Sequence, residues 1–83
     1  MSRLIFRVRA VKRMFQREVG DADVRYVLAT GKLMEETPEE SPFVFRRRMA
    51  FPRSRSIEVV SAEDLSAESI VIITAYESPR EGP

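Results

Sequence analysis

The run Ile70-Val71-Ile72-Ile73-Thr74-Ala75-Tyr76 constrains this chain more than any other stretch. It is β-branched and apolar at successive positions, so it reads as a central strand that needs cover on both faces. The cover must come from an 83-residue chain, a length that allows one domain and buries only about 60–65% of its unfolded surface. Further strands precede it. Phe43, Val44 and Phe45 open one that runs into three consecutive arginines, Pro52 and Ser54 mark a turn, and Ile57, Val59 and Val60 make the next. A short strand over Lys32–Glu36 leads into an acidic, proline-containing loop from Glu36 to Pro42, and Ser61–Ser69 is a polar connection.

Upstream the period changes. Residues 3–8 alternate, with Leu4, Phe6 and Val8 on one face, which predicts a short strand within residues 1–8. From Ala10 onward, Val11, Met14, Phe15 and Val19 recur at helical spacing, and Gly20 is placed to end that helix. Asp21 or Asp23 supplies the N-cap of a second helix, whose buried stripe is Val24, Val27 and Leu28 and whose end is Gly31. The expected fold is α+β, a single domain over 1–83. Two helices within residues 9–31 pack on one face of a three- to four-stranded antiparallel sheet over 32–77, with the short N-terminal strand as an addition and 78–83 as a tail.

The formal net charge is +1, but the charges are segregated. Residues 1–17 carry six basic groups (Arg3, Arg7, Arg9, Lys12, Arg13, Arg17) and no acid; residues 46–55 carry five more (Arg46, Arg47, Arg48, Arg53, Arg55), again without an acid. All 13 acids lie elsewhere. Twelve of the 14 basic residues are arginine, whose planar fork suits phosphate and carboxylate. Cysteine and histidine are both absent. Thiolate catalysis, disulfides and His-dependent triads are thereby excluded, a zinc site is argued against, and no cofactor or metal is expected. The longest apolar run is far below the roughly 20 residues that span a bilayer, and no apolar segment of signal-peptide type follows the basic start. A soluble, cytoplasmic protein without a membrane partner is the expectation.

The segment Arg9-Ala10-Val11-Lys12-Arg13-Met14-Phe15-Gln16-Arg17 resembles the H-A-x-x-R-M-x-x-R opening of a small bacterial domain family of unknown function. Asp23-Val24 with Leu28 and Gly31 resembles that family's second helix, and Ile73-Thr74-Ala75-Tyr76 its closing I-T-A-Y strand. The family is in turn distantly similar to RelE-like and BrnT-like toxins, compact α+β domains that cleave RNA, commonly at the ribosome, and are silenced by an antitoxin. The resemblance implies metal-independent RNA cleavage, in which the ribose 2′-hydroxyl attacks the adjacent phosphate. Two family histidines are replaced here, by Arg9 and by Glu58, so the activity either rests on other groups or has been lost.

Cleavage of that kind needs a base, cations around the phosphate and an acid at the leaving oxygen. The candidates are Arg13 as a phosphate clamp, Glu58 as base, Tyr76 as proton donor and Arg9 at the position of the family's first histidine. Each has a plainer alternative. Arg13 could pair with Glu58 and merely hold helix to sheet, Glu58 could face solvent on an alternating strand, and Tyr76 could be packed with its hydroxyl bonded. Arg46, Arg48, Arg53 and Arg55, with Arg17, are the candidate RNA-binding residues, beside Phe43, Phe45 and Phe51 as stacking rings. Three consecutive arginines cannot all line one groove, because neighbours on a strand point to opposite faces. The same strip also reads as a solvated edge strand, or as the seat of an acidic, antitoxin-like partner or of a second copy in a homodimer. RNA or the ribosome, and an acidic protein, are the expected partners. A toxin-like RNA-binding domain or ribonuclease and a non-catalytic interaction domain both remain open.

Overall fold

The computed structural model describes residues 3–78. Its five strands are β1 (Arg3–Phe6), β2 (Lys32–Pro38), β3 (Phe43–Ala50), β4 (Ile57–Asp64) and β5 (Ser69–Glu77), joined in one sheet of order β1-β5-β4-β3-β2. Two helices, α1 (Val8–Gln16) and α2 (Asp21–Thr30), follow β1 and carry the chain to the far edge of the sheet. From there β2, β3, β4 and β5 step back strand by strand. The expected tail lies, beyond Ser78, outside the described residues, as do Met1 and Ser2 at the start. Among the described residues, no helix is long and apolar enough to cross a membrane.

The architecture is α+β, but the expected antiparallel sheet of three to four strands is corrected to a mixed sheet of five. β1 runs parallel to β5, with Leu4 opposite Ile70 and Phe6 opposite Ile72, while the other pairs are antiparallel. The reason lies in β5. An apolar strand used on both faces also needs hydrogen-bonding neighbours on both edges, and β4 serves only one of them. Local alternation reveals a strand at residues 3–6 but not its distant partner. β2 also runs further than expected, through Thr37 and Pro38, and its exposed charged residues suit a sheet edge.

Both helices lie on the same side of the sheet. Ala10 and Met14 of α1 and Val24 and Val27 of α2 are buried in one cluster with Ala50, Ile57, Val59, Ile72 and Ala75. Ile72 and Ala75 have opposite parity on β5, yet both face the helices. The register explains this: Ser61 pairs with Ile72 and Val60 with Thr74, so Ile73 is an extra residue, a bulge that flips the alternation after it. Burying this face removes several branched side chains from water, each worth about 1.5–3 kcal/mol. The expected α1 stripe is also corrected. Ala10 and Met14 are its core residues, whereas Val11 and Phe15 are exposed, because they sit a quarter turn or more from the line that meets the sheet.

The joint between the helices departs from the expected glycine end. Glu18, not Gly20, takes the left-handed conformation after α1, with φ of 55°. That turn lets the Val19 N–H donate to the Met14 carbonyl (2.9 Å) and the Glu18 N–H to that of Phe15 (3.3 Å). Gly20 is instead the N-cap of α2, and its N–H donates to the Asp23 carboxylate at 2.9 Å. Gly31 ends α2 as expected. There a Cβ would lie 2.3 Å from the Val27 carbonyl oxygen and 3.2 Å from that of Met49. Two outcomes are expected in thermal unfolding. Glu18→Gly raises stability by about 1 kcal/mol, since glycine carries no penalty at positive φ. Gly31→Ala lowers it by roughly 1–3 kcal/mol, because the new methyl must push backbone apart.

Candidate functional site

Alternation along β3 and β4 sorts the charged residues onto two sheet faces. Arg46 and Arg48 share the helix side with Ser61 and Glu63, while Arg47 shares the uncovered side with Glu58. The bulge at Ile73 places Tyr76 on that uncovered side too, directly across from Glu58. There the Arg47 guanidinium donates from Nη1 to Glu58 Oε1 at 2.6 Å, and Tyr76 stands opposite Glu58 on the neighbouring strand. Glu58 is only 7% exposed although no helix covers it. Burial, followed by the neighbouring Glu58, pushes the Tyr76 phenol above its ordinary value. Thr74, two residues before Tyr76, holds the one buried side-chain polar atom, Oγ1, that lacks a hydrogen-bond partner among the described residues. This face therefore gathers a carboxylate paired to a guanidinium, with a phenol on the next strand.

Of the four catalytic candidates, Glu58 and Tyr76 come together and Arg9 and Arg13 do not join them. Those two arginines sit on the outer side of α1, where with Lys12 and Gln16 they line a shallow depression of about 250 Å³. The suggested Arg13–Glu58 pair is absent. α1 packs on the opposite side of the sheet, and Arg47 takes that role. Arg47 was not singled out from the sequence. The signal for it was the hairpin register: closing β3 on β4 around Phe51–Ser56 sets Met49 opposite Glu58 and Arg47 one step diagonal to it.

Of the expected phosphate strip, Arg46, Arg48, Arg53 and Arg55 are paired within the chain, and Arg17 is not. Arg46 Nη1 and Arg48 Nη1 hold the two oxygens of Glu63 at 2.9 and 2.6 Å, Ser61 Oγ donates to the same carboxylate at 3.1 Å, and Arg46 Nε reaches Glu36 at 2.6 Å. Arg53 donates to Asp23 at 2.8 Å. Arg55 donates to the carbonyls of Glu18 and Arg17, at 2.7 and 3.1 Å, and contacts Glu77 at 3.4 Å. The basic side chains without a hydrogen bond or ion pair among the described residues are those of the first block, Arg3, Arg7, Arg9, Lys12, Arg13 and Arg17, together with Lys32 at the start of β2. No acid lies in that segment to meet them.

A family model described as Domain of unknown function (DUF4258) matches residues 6–77. The chain belongs to that family. The DUF4258 match runs from the last residue of β1 to the last of β5, and so takes in both helices, the bulge and the Arg47–Glu58–Tyr76 grouping. No curated protein and no solved structure matches the chain.

The Glu63 clamp has a measurable acid signature. Burial alone would push this carboxyl up, but hydrogen bonds from Arg48 and Ser61 and the charges of Arg48 and Arg46 outweigh it and hold the group below its ordinary value of 4.5. A depressed carboxyl stabilises the fold above its unfolded value, and the contribution is lost as pH falls through the folded one. Wild-type stability should therefore decline below about pH 4.5, and in Glu63→Gln that part of the decline should vanish. At neutral pH the same substitution should cost about 3 kcal/mol, since it leaves Arg48 without a counter-charge and Arg46 with Glu36 alone. Urea unfolding at a series of pH values measures both.

Proposed function

We propose that this chain is a toxin-like, RNA-binding domain whose uncovered sheet face carries a metal-independent ribonuclease centre. The observation that carries the proposal is the grouping on that face of the Glu58–Arg47 pair with Tyr76 directly across from Glu58. It is strengthened by the resemblance, through Arg9–Arg17 and Ile73–Tyr76, to a family distantly similar to RelE-like and BrnT-like toxins. The three groups supply the parts that 2′-hydroxyl attack requires without a histidine. The Glu58 carboxylate takes the 2′-hydroxyl proton as the 2′-oxygen bonds to phosphorus. Arg47 turns its guanidinium to the non-bridging oxygens, where negative charge grows. Tyr76, still protonated at neutral pH, donates to the 5′-oxygen as the phosphorus–oxygen bond breaks, leaving a 2′,3′-cyclic phosphate and a 5′-hydroxyl.

Binding falls to cations left free by the internal pairing. Arg3 and Arg7 belong to the same face of the β1 edge as Ile5, and Arg9, Lys12 and Arg13 continue the charge onto α1. A phosphate backbone that crosses the β1 edge would meet them in sequence, with counterion release providing most of the affinity. The exposed rings of Phe43 and Phe45 offer stacking surfaces on the same side as Arg47.

The test is incubation of the purified chain with mixed RNA in the presence of a metal chelator, followed by analysis of the new ends. Cyclic-phosphate ends are expected, with cleavage lowered about 10²- to 10⁴-fold in Glu58→Gln and at least about tenfold in Tyr76→Phe. Intact RNA, or equal cleavage by wild type and Glu58→Gln, would overturn the catalytic reading. Salt-dependent RNA retention without cleavage would then identify a binding domain that has lost the reaction.

A further inference from the structure

Two surfaces have no partner among the described residues, and they are opposite in charge. The first is the outer side of α1. Val8, Val11 and Phe15 recur at i, i+3 and i+7 and are 71%, 50% and 86% exposed, with Arg9, Lys12 and Arg13 alongside. The second is a groove of about 600 Å³ on the uncovered sheet face. Phe43, Phe45, Ala62 and Val71 form its floor, and Glu39, Glu40 and Asp64 its acidic rim; Arg7, at one end, is the lone cation among the described lining residues. Apolar area of this kind is costly to leave in water, and here each patch is bordered by the charge that the other lacks.

α1 cannot reach the groove of its own chain. Ala10 and Met14 fix it against the helix side of the sheet, while the groove opens on the other side. The match can be made only between molecules. We infer that α1 of one copy docks into the groove of a second copy, with the Phe15 ring set on Phe43 and Phe45 and with Arg9 and Lys12 facing Glu39 and Glu40. The two surfaces differ, so the contact is heterologous: it closes into a ring or a reciprocal pair if the geometry permits and otherwise extends. The apolar centre supplies the affinity, and the charged border supplies orientation and sensitivity to salt. This inference does not depend on RNA binding or cleavage, and its test contains no RNA.

Sedimentation of the purified chain at increasing concentration in low salt measures the association. The mass should rise above 9.6 kDa and fall back as salt is added. Phe15→Ser should abolish the rise without loss of thermal stability, because the ring touches little of its own chain. R9E/K12E and E39K/E40K should each weaken association at least about tenfold. An equimolar mixture of those two variants should recover it, since the reversed helix then meets the reversed groove. Asp64 is left unaltered because its carboxylate caps the turn at Ser66 and Ala67. A wild-type chain that stays at 9.6 kDa throughout would overturn the inference. So would folded charge variants that fail to recover on mixing, or a Phe15→Ser chain that still associates.

Discussion

Strand β5 has to be enclosed, and the rest of the molecule is arranged to do it. Ile72 and Ala75 are fully buried beneath the helices. β4 bonds to one edge of the strand and β1 to the other. Because β1 opens the chain and lies next to the last strand, the intervening backbone must leave one edge of the sheet and enter at the opposite one. The two helices make that crossing, and in doing so they roof a single face. The other face is left without a layer, and it is there that Glu58, Arg47 and Tyr76 are grouped and that the acid-rimmed groove opens.

Charge follows from the same layout. A guanidinium that is drawn into a sheet must find a carboxylate, because an unpaired buried charge is far more costly than an exposed one. β4 supplies those carboxylates, Glu63 on the helix side for Arg46 and Arg48 and Glu58 on the open side for Arg47. The turn arginines Arg53 and Arg55 are held near Asp23 and the end of α1. The first basic block stands on β1 and on a helix with no acid in its own segment, and it stays available to a partner. The two blocks look alike in composition and differ in how far they are paired within the chain.

Much of the fold was legible. β-branching at Ile70–Tyr76 marked the strand that must be interior, and Val24, Val27 and Gly31 marked the second helix and its end. Glu58 and Tyr76 stood out as titratable groups within apolar strands. What escaped was whatever depends on pairing between distant segments. Residues 3–6 showed a strand without showing a parallel partner. Val11 and Phe15 fit a helical stripe as well as Ala10 and Met14 do, and only the direction of the sheet selects between them. Glycine's preference for positive φ pointed to Gly20 as the end of α1, whereas Glu18 pays that conformational cost and frees Gly20 to begin α2.

The sequence by itself determined the chemical vocabulary, free of imidazole and thiol and rich in arginine, together with an interior strand near the end of the chain and two short helices before the sheet. These are properties of residue type and local period. The tertiary structure alone decided which arginines remain unpaired and on which face each strand residue lands. A period of two fixes relative orientation only until a residue is inserted. Ile73 is such an insertion, and it carries Tyr76 to the side of Glu58. Its presence follows from how β5 registers against β4, an interaction between segments that no single stretch of sequence contains.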